Sequence, residues 1–186
     1  MDLFVQSGDC REVALLRPIL HVRNGSTRSG WNLSKLRGVE PNEKVVQMPH
    51  LFRVIVPVGD IERAALFYGA LLGAVGLRVS PGRHYFECEG TILACYDPQA
   101  DGDGRGALPL PEPIYIAVDD LESTYASAET AGASFSSVVC PEVGPLGRVA
   151  RRPWGERSFY AVDPFGNPLC FVSRDSVFTG RTHDRP

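Results

Sequence analysis

An arginine at the start of a strand-like segment is the first residue whose position suggests chemistry. The segment "LFRVIVPV" at 51–58 alternates, so a strand would place Arg53, Ile55 and Pro57 on one face. The opposite face would carry Val54, Val56 and Val58. A guanidinium keeps its charge, so Arg53 on a sheltered face requires a carboxylate partner or an anionic ligand. The alternative is a shifted register that leaves Arg53 at the solvated end of the strand.

A tyrosine and a cysteine occupy the same sheltered face further along the chain, in "ERSFYAVD" and "NPLCFVS". Tyr160 could contact a ligand, or it could be a core tyrosine whose hydroxyl reaches the rim. Cys170 would act as a nucleophile only beside a base or cation that lowers its pKa, and no histidine is placed to help. Alternation predicts that this face carries Ser158, Tyr160, Cys170 and Val172, and in an earlier segment Pro113, Tyr115 and Ala117.

The segment "RVARRPWGER" contains Arg148, Arg151, Arg152 and Arg157 beside Trp154. These side chains could form a lid over an anionic or aromatic ligand, through bidentate hydrogen bonds and stacking. The alternative is a solvated loop with Trp154 folded onto the sheet edge. His84 is predicted at the cavity as a proton-transfer group or, more simply, as a histidine of the rim. No catalytic residue can be assigned.

Two similar halves organise the chain and position these residues. Val58, Asp60, Ile61 and Glu62 match Val118, Asp120, Leu121 and Glu122 at an offset of 60. Each half begins as a strand, a capping Asp and a helix closed by Gly73 or Gly132, followed by three strand-like segments. The sequence therefore predicts an α+β fold of paired βαβββ modules that form an incomplete barrel. A concave sheet surface of this kind is a natural small-molecule site.

The predicted domain covers residues 51–176, with modules at about 51–98 and 112–176 and a connector between them. Residues 1–50 lack periodicity and are predicted to form a poorly ordered arm or extension, and residues 177–186 form a tail. A net charge of −3 makes nucleic acid an unsuitable partner, and no apolar run reaches membrane-spanning length. Five cysteines without a CxxC pair favour a reducing compartment, so a cytoplasmic location is expected.

The segments "VPVGDIERAALFY", "IAVDDLES" and above all "PWGERSFYAVDPFGNPLCFV" resemble the vicinal-oxygen-chelate superfamily of glyoxalases, bleomycin-resistance proteins and dioxygenases. The resemblance covers roughly residues 51–174. It implies that metal-using members hold a divalent ion with His, Glu or Gln from four strands. The corresponding places here hold Arg53, Pro113, Cys170 and either Leu93 or Ala94. No metal and no other cofactor is therefore predicted, unless the ligands lie elsewhere.

Three hypotheses follow for function. The first is a metal-independent small-molecule-binding protein in which Arg53, Tyr115, Tyr160 and Trp154 orient an aromatic or anionic ligand. Cys170 would line the floor of its cavity, together with Ile55, His84 and Ser158. The second is a lyase, isomerase or dioxygenase with metal ligands at other positions, or one that works with Arg53, Tyr160 and His84. The third is a partner-binding module whose cavity is filled by Tyr115, Phe159 or Phe86. The resemblance also implies a possible homodimer, because cavities in this superfamily are often completed across subunits.

Overall fold

The first module has the predicted order β-α-β-β-β. A computed structural model describes residues 49–135, 139–140 and 143–179. Its sheet has the order β1-β4-β3-β2, in which β1 and β4 are parallel and the other pairs antiparallel. The elements are β1 Arg53–Pro57, α1 Ile61–Leu72, β2 Leu77–Ser80, β3 Arg83–Cys88 and β4 Thr91–Tyr96.

The second module repeats this order, except that several two-residue strands lie between its helix and its last two strands. Its main sheet has the order β5-β11-β10-β6, and β9 also pairs with β10. The elements are β5 Ile114–Val118, α2 Leu121–Thr130, β6 Ser134–Phe135, β7 Val139–Cys140, β8 Gly144–Pro145, β9 Ala150–Arg151, β10 Arg157–Val162 and β11 Pro168–Ser173, then a 3-10 turn Arg174–Ser176. The first strand-like segment after α2, "SFSSVV" at 134–139, does not form one strand with one partner: β6 pairs with β10, whereas β7 pairs with β8. Neither main sheet closes, as the prediction of an incomplete barrel requires.

Capping aspartates begin both helices and a glycine ends α1, as the sequence predicts. The Asp60 carboxylate accepts the backbone N–H groups of Glu62 and Arg63, both at 3.0 Å. Asp120 accepts the N–H of Ser123 at 2.9 Å in the second module. Gly73 ends α1 at φ 62°, a left-handed conformation that favours glycine.

One face of each sheet packs under the helices and builds the core. Val56, Leu93 and Phe86 of the first sheet join Phe159 and Phe171 of the second in one buried cluster with residues of α1 and α2. We call the opposite side of each sheet its helix-free face. The pairing Ile55↔Ala94 in the first module repeats as Tyr115↔Cys170 in the second, and Tyr85↔Ala94 repeats as Tyr160↔Cys170. The two helix-free faces are therefore related position by position.

The turn "DPFGN" joins the two modules. The buried Asp163 carboxylate accepts hydrogen bonds from the Tyr68 hydroxyl and the Asn167 side-chain amide, both at 2.7 Å, and from the N–H groups of Phe165 and Asn167. Asn167 also donates to the carbonyl of Pro57 at 2.8 Å and accepts from the N–H of Leu110 at 3.0 Å. These bonds connect α1, the end of β1 and the connector to the second sheet.

The predicted arm at residues 1–50 lies outside the described residues except for its last two, and the predicted tail is described only to Thr179. The domain limits therefore stay a prediction. Within the described part, no helix is long and apolar enough to cross a membrane.

Candidate functional site

The helix-free face of the second sheet carries a small apolar cluster around Tyr160 and Cys170. Both residues lie on this face because Phe159 and Ala161 on β10, and Leu169 and Phe171 on β11, point to the core beneath the helices. The cluster consists of Val143, Leu146, Tyr160, Cys170 and Val172, with Trp154 packed against it. We call this group the second-sheet cluster.

Arg152 holds the segment that borders the second-sheet cluster. Only 2% of this arginine is exposed. Its guanidinium donates to the Ser158 hydroxyl at 2.9 Å, to the Ser158 carbonyl at 2.7 Å, and to four carbonyls of the preceding loop. The guanidinium carbon lies 5.5 Å from the centre of the Tyr160 ring. Ser158, predicted as a cavity residue, therefore serves chiefly to anchor Arg152.

The Tyr160 hydroxyl is buried and makes no hydrogen bond of ordinary geometry with any described residue, and the tyrosine is only 4% exposed. Burial raises the pKa of Tyr160 well above its usual range, and the nearby Cys170 and Tyr115 raise it further. Burial likewise raises the pKa of Cys170 to about 12. Both groups stay protonated near neutral pH, so Cys170 is not an activated nucleophile.

Tyr115, on β5, lies beside Tyr160 and Cys170 on the helix-free face. Its ring meets the Tyr160 ring edge-on, with centroids 6.5 Å apart and an interplanar angle of 84°. The side chain is 48% exposed, and burial of its other side raises the pKa of its hydroxyl. Tyr115 therefore forms the boundary between the second-sheet cluster and solvent.

Arg53 occupies the helix-free face of the first sheet, as predicted. Its guanidinium lies over the rings of Tyr85 and Phe52, at 4.8 and 5.1 Å from their centres. Its Nε atom is buried and has no hydrogen-bond partner, and no carboxylate pairs with Arg53 among the described residues. Arg83, at the other end of the same face, differs because it is paired with Asp101 at 2.7 Å. Ile55, on the same face, is 46% exposed.

His84 does not lie at the cavity, and its predicted placement there is wrong. It pairs with Cys95 across β3 and β4 and faces the helix side beside Phe86, whose ring centre is 4.9 Å away. Its Nε2 atom lies 2.9 Å from the carbonyl oxygen of Val75. The side chain is 7% exposed. The physical reason is register, because Tyr85 takes the helix-free position beside Arg53.

The arginines of 148–157 do not form a common lid. Arg152 is buried, Arg148 and Arg151 are exposed, and Arg157 pairs with Glu122 of α2. Trp154 donates its indole N–H to Glu156 at 2.6 Å and packs on the second-sheet cluster. This matches the alternative in which the tryptophan folds onto the sheet.

Sequence reasoning missed Tyr85, which is the first-sheet counterpart of Tyr160. In each module a tyrosine lies on the helix-free face with a guanidinium over its ring, Arg53 over Tyr85 and Arg152 over Tyr160. The alternation in "RHYFECE" contained the signal, since Tyr85 and His84 must point to opposite faces. The alternation could not show whether His84 or Tyr85 faces the helices.

The four places that the resemblance implies as metal ligands do not fit a divalent cation. Leu93 points into the core, which leaves Ala94 as the fourth place beside Arg53, Pro113 and Cys170. Arg53 brings a fixed positive charge, proline and alanine bring no donor, and Cys170 keeps its proton. No group of three His, Cys, Asp or Glu side chains within the described residues is arranged to hold a metal ion.

Of the three aromatic side chains considered in the third hypothesis, one lies on a helix-free face. Phe86 and Phe159 belong to the helix-side core, and only Tyr115 stands on a helix-free face. Two clefts of about 600 and 540 Å³ lie elsewhere. The larger one runs between α1 and α2, and the smaller one is lined by ion-paired groups around Arg174. Neither contains Arg53, Tyr115, Tyr160 or Cys170, although Arg157 lines the smaller one.

Comparison with known proteins agrees with this architecture. A glyoxalase/bleomycin resistance protein from Albidiferax ferrireducens T118 superposes with a TM-score of 0.51 at 23% identity, covering 67% of this chain and 98% of the other. For a glyoxalase-related enzyme from Fulvimarina pelagi the TM-score is 0.53 at 18% identity, with 68% and 88% covered. For a glyoxalase/bleomycin resistance protein/dioxygenase from Nocardioides it is 0.50 at 22% identity, with 76% and 92% covered. These structural likenesses show the fold alone.

No curated protein matches the chain. The family model of the glyoxalase/bleomycin resistance protein/dioxygenase superfamily matches residues 48–171, which is 124 of the 186 residues. The match begins just before β1 and ends within β11, so it includes both modules. The chain belongs to the glyoxalase/bleomycin resistance protein/dioxygenase superfamily.

Proposed function

We propose that this chain is a metal-independent small-molecule-binding protein, which holds an anionic or aromatic ligand on the helix-free faces of its sheets. The observation that carries this proposal is Arg53. A guanidinium stands at the first of the four metal-ligand places, partly sheltered, with a partnerless Nε atom and no carboxylate beside it among the described residues. A cation at this point repels a metal ion and attracts an anionic ligand.

The aromatic part of the proposal is supported by the rings on both faces. Tyr85 and Phe52 lie against Arg53, and Tyr115 and Trp154 border the second-sheet cluster. Such rings offer large contact areas at a small loss of side-chain entropy. Because Cys170 and Tyr160 keep their protons, the described residues supply neither a thiolate nor a phenolate for catalysis. Binding without conversion is therefore the simplest function that these residues support.

We further propose that two copies of the chain pair to enclose the ligand. Ile55 and Tyr115 are each almost half exposed on the helix-free faces, and Leu51 and Phe52 are exposed at the start of β1. Apolar surface of this kind gains free energy when a second subunit covers it. Sedimentation equilibrium of the full chain is expected to give a dimer. A monomer at 100 μM, a concentration chosen to favour association, would contradict this part of the proposal.

A binding screen with a charge-neutral variant tests the main proposal. Aromatic carboxylates, phosphates and uncharged aromatic compounds are titrated into the wild type by calorimetry, and each compound that binds is measured again with Arg53→Gln. Glutamine keeps a polar, hydrogen-bonding side chain, although a shorter one, and removes the charge. Loss of one charge-assisted contact should weaken anion binding by about tenfold or more.

Arg105→Gln is the matched control. Arg105 is well exposed, and its contact with the Asp103 carboxylate is long, at 3.9 Å. The substitution makes the same change in net charge away from the sheets, so anion binding should be unchanged. If the two variants weaken anion binding equally, Arg53 is not the recognition group. If no compound binds to the wild type, the binding function itself is wrong.

A further inference from the structure

We propose that the second-sheet cluster binds an uncharged aromatic molecule that carries a hydrogen-bond acceptor, such as an aryl ketone or aldehyde, with the Tyr160 hydroxyl as its donor. This inference rests on the proposed function, because it names the ligand class for the same site. It assigns a different ligand group to each helix-free face. Arg53 on the first sheet suits an anion, whereas the second sheet suits a neutral hydrogen-bond acceptor.

The partnerless hydroxyl of Tyr160 is the starting observation. Buried polar groups in folded proteins are almost always hydrogen-bonded, and an exception indicates a partner that the chain alone does not supply. The Tyr160 side chain is 4% exposed, and its oxygen has no hydrogen-bond partner among the described residues. On the same face the polar atoms of Arg152 and Ser158 bond to each other. Among the buried side-chain oxygen and nitrogen atoms described on this face, the Tyr160 hydroxyl is the one without a hydrogen bond.

The protonation of this face determines which ligand group fits. Tyr160 and Cys170 are cross-strand partners, and burial keeps both protonated, so an O–H and an S–H group lie side by side and a ligand acceptor can meet them. Phenolate or thiolate forms, which would call for a ligand donor, are absent near neutral pH. The matching ligand group is a carbonyl oxygen or a ring nitrogen.

The charges around the cluster disfavour an ionic ligand. Glu156 lies close enough to raise the pKa of Cys170 and Tyr115, and its carboxylate would repel an anion. The Arg152 guanidinium, 5.5 Å from the Tyr160 ring centre, would repel a cation. The Arg152 guanidinium also donates to the Ser158 hydroxyl and to backbone carbonyls, so it is less free than Arg53 to pair with an anion. A neutral molecule avoids both repulsions.

The walls of the cluster indicate an aromatic ring. Val143, Leu146 and Val172 form an apolar surround, and Trp154 packs against it. The Tyr115 ring meets the Tyr160 ring edge-on and is itself 48% exposed, so it lies between Tyr160 and solvent. A ligand reaches the hydroxyl by displacing the Tyr115 ring toward solvent, after which that ring can stack on the ligand. Edge-to-face and offset stacks are the favoured geometries for such pairs.

Three compounds of nearly equal shape test this inference: 2-acetonaphthone, 2-ethylnaphthalene and 2-naphthoate. They present a neutral acceptor, no acceptor and an anion, and their dissociation constants are measured by ligand-observed NMR. Wild-type protein should bind 2-acetonaphthone about five- to tenfold more tightly than 2-ethylnaphthalene, the value of one hydrogen bond. Tyr160→Phe should remove that advantage and leave 2-ethylnaphthalene binding unchanged. Tyr125→Phe, the same change at a tyrosine on the helix side of the second sheet, is the control and should preserve it.

The stability of Tyr160→Phe without ligand is a second measurement. Because the hydroxyl has no partner, its removal should leave the urea midpoint unchanged or raise it. A clearly lowered midpoint would mean that the chain itself satisfies the hydroxyl, and the inference would be overturned.

The outcomes also separate this inference from the proposed function. If 2-naphthoate binds best, loses affinity in Arg53→Gln and is indifferent to Tyr160→Phe, the proposed function stands and the inference fails. If none of the three compounds binds, the inference fails, while the wider anion screen with Arg53→Gln still decides the proposed function. Binding of 2-acetonaphthone that is unaffected by Tyr160→Phe also overturns the inference.

Discussion

Replacing Asp163 by alanine should destabilise the whole domain, because this carboxylate joins the two modules. It accepts four hydrogen bonds: from the Tyr68 hydroxyl, from the Asn167 side-chain amide, and from the N–H groups of Phe165 and Asn167. Alanine leaves all four donors without their acceptor in a site where Asp163 is almost fully buried. The turn that orients β11 would lose its central anchor.

The magnitude follows from the cost of unsatisfied buried groups. Each donor left unpaired costs about 1–3 kcal/mol, and water admitted to the space reduces the sum. Four donors lose their acceptor and water reduces the sum, so we expect about 4 kcal/mol for Asp163→Ala. Tyr68→Phe removes one of the four donors and should cost about 1 kcal/mol. Asp163→Asn keeps the shape of the side chain, but its NH2 group would face the donor groups that the carboxylate now accepts from. Its cost should therefore lie between those of Tyr68→Phe and Asp163→Ala.

Urea unfolding followed by far-ultraviolet circular dichroism measures these changes in the free energy of unfolding. Asp175→Ala, on the exposed 3-10 turn, is the control and should change stability by less than about 0.5 kcal/mol. A loss smaller than about 1 kcal/mol for Asp163→Ala would refute the account of the junction. Equal losses for Asp163→Ala and Tyr68→Phe would also refute it, since they would reduce the anchor to one bond.

Three further predictions concern pH and the backbone. Burial raises the pKa of Cys95 and Cys170 to about 12, whereas thiols in the unfolded chain ionise near ~8.5, so stability is complete below that pH and falls as pH rises. Between pH 7 and 10 urea unfolding should show a loss of about 2 kcal/mol per thiol, and Cys170→Ala should remove its share; a pH-independent midpoint would contradict this. Gly82→Ala should cost about 1–3 kcal/mol, because its Cβ would lie 2.4 Å from the Asp97 carbonyl oxygen, whereas Gly59→Ala meets nothing within 4 Å and should be neutral in the same assay. Asp60→Ala should cost about 1 kcal/mol through loss of the α1 cap, and an unchanged midpoint would show the cap to be dispensable.

Much of the fold was predictable because the sequence repeats itself. The offset of 60 predicted both capping aspartates, and alternation placed Arg53, Ile55 and Tyr115 on the helix-free faces. These features depend on local geometry, which a single sequence records. The segment from 134 to 151 was predicted less well, since it contains several two-residue strands that pair with different partners.

The candidate site was less predictable because its distinctions are three-dimensional. His84 and Tyr85 are neighbours in sequence, and only the packing of β3 against α1 decides which of them faces the core. Four arginines between 148 and 157 look alike, yet Arg152 alone of these four is buried, with its guanidinium bonded to loop carbonyls. The partnerless state of the Tyr160 hydroxyl is likewise a property of its surroundings.

Metal content is the measurement that tests the central claim most directly. The full chain is purified without chelators, its metal is determined by elemental analysis, and thermal unfolding is followed with added Mn²⁺, Fe²⁺, Ni²⁺ and Zn²⁺. With Arg53, Pro113, Ala94 and Cys170 at the four ligand places, we predict no stoichiometric metal and no stabilisation by any ion. One equivalent of bound metal, or a clear rise in the unfolding temperature with one ion, would contradict the account and favour a metal-dependent enzyme.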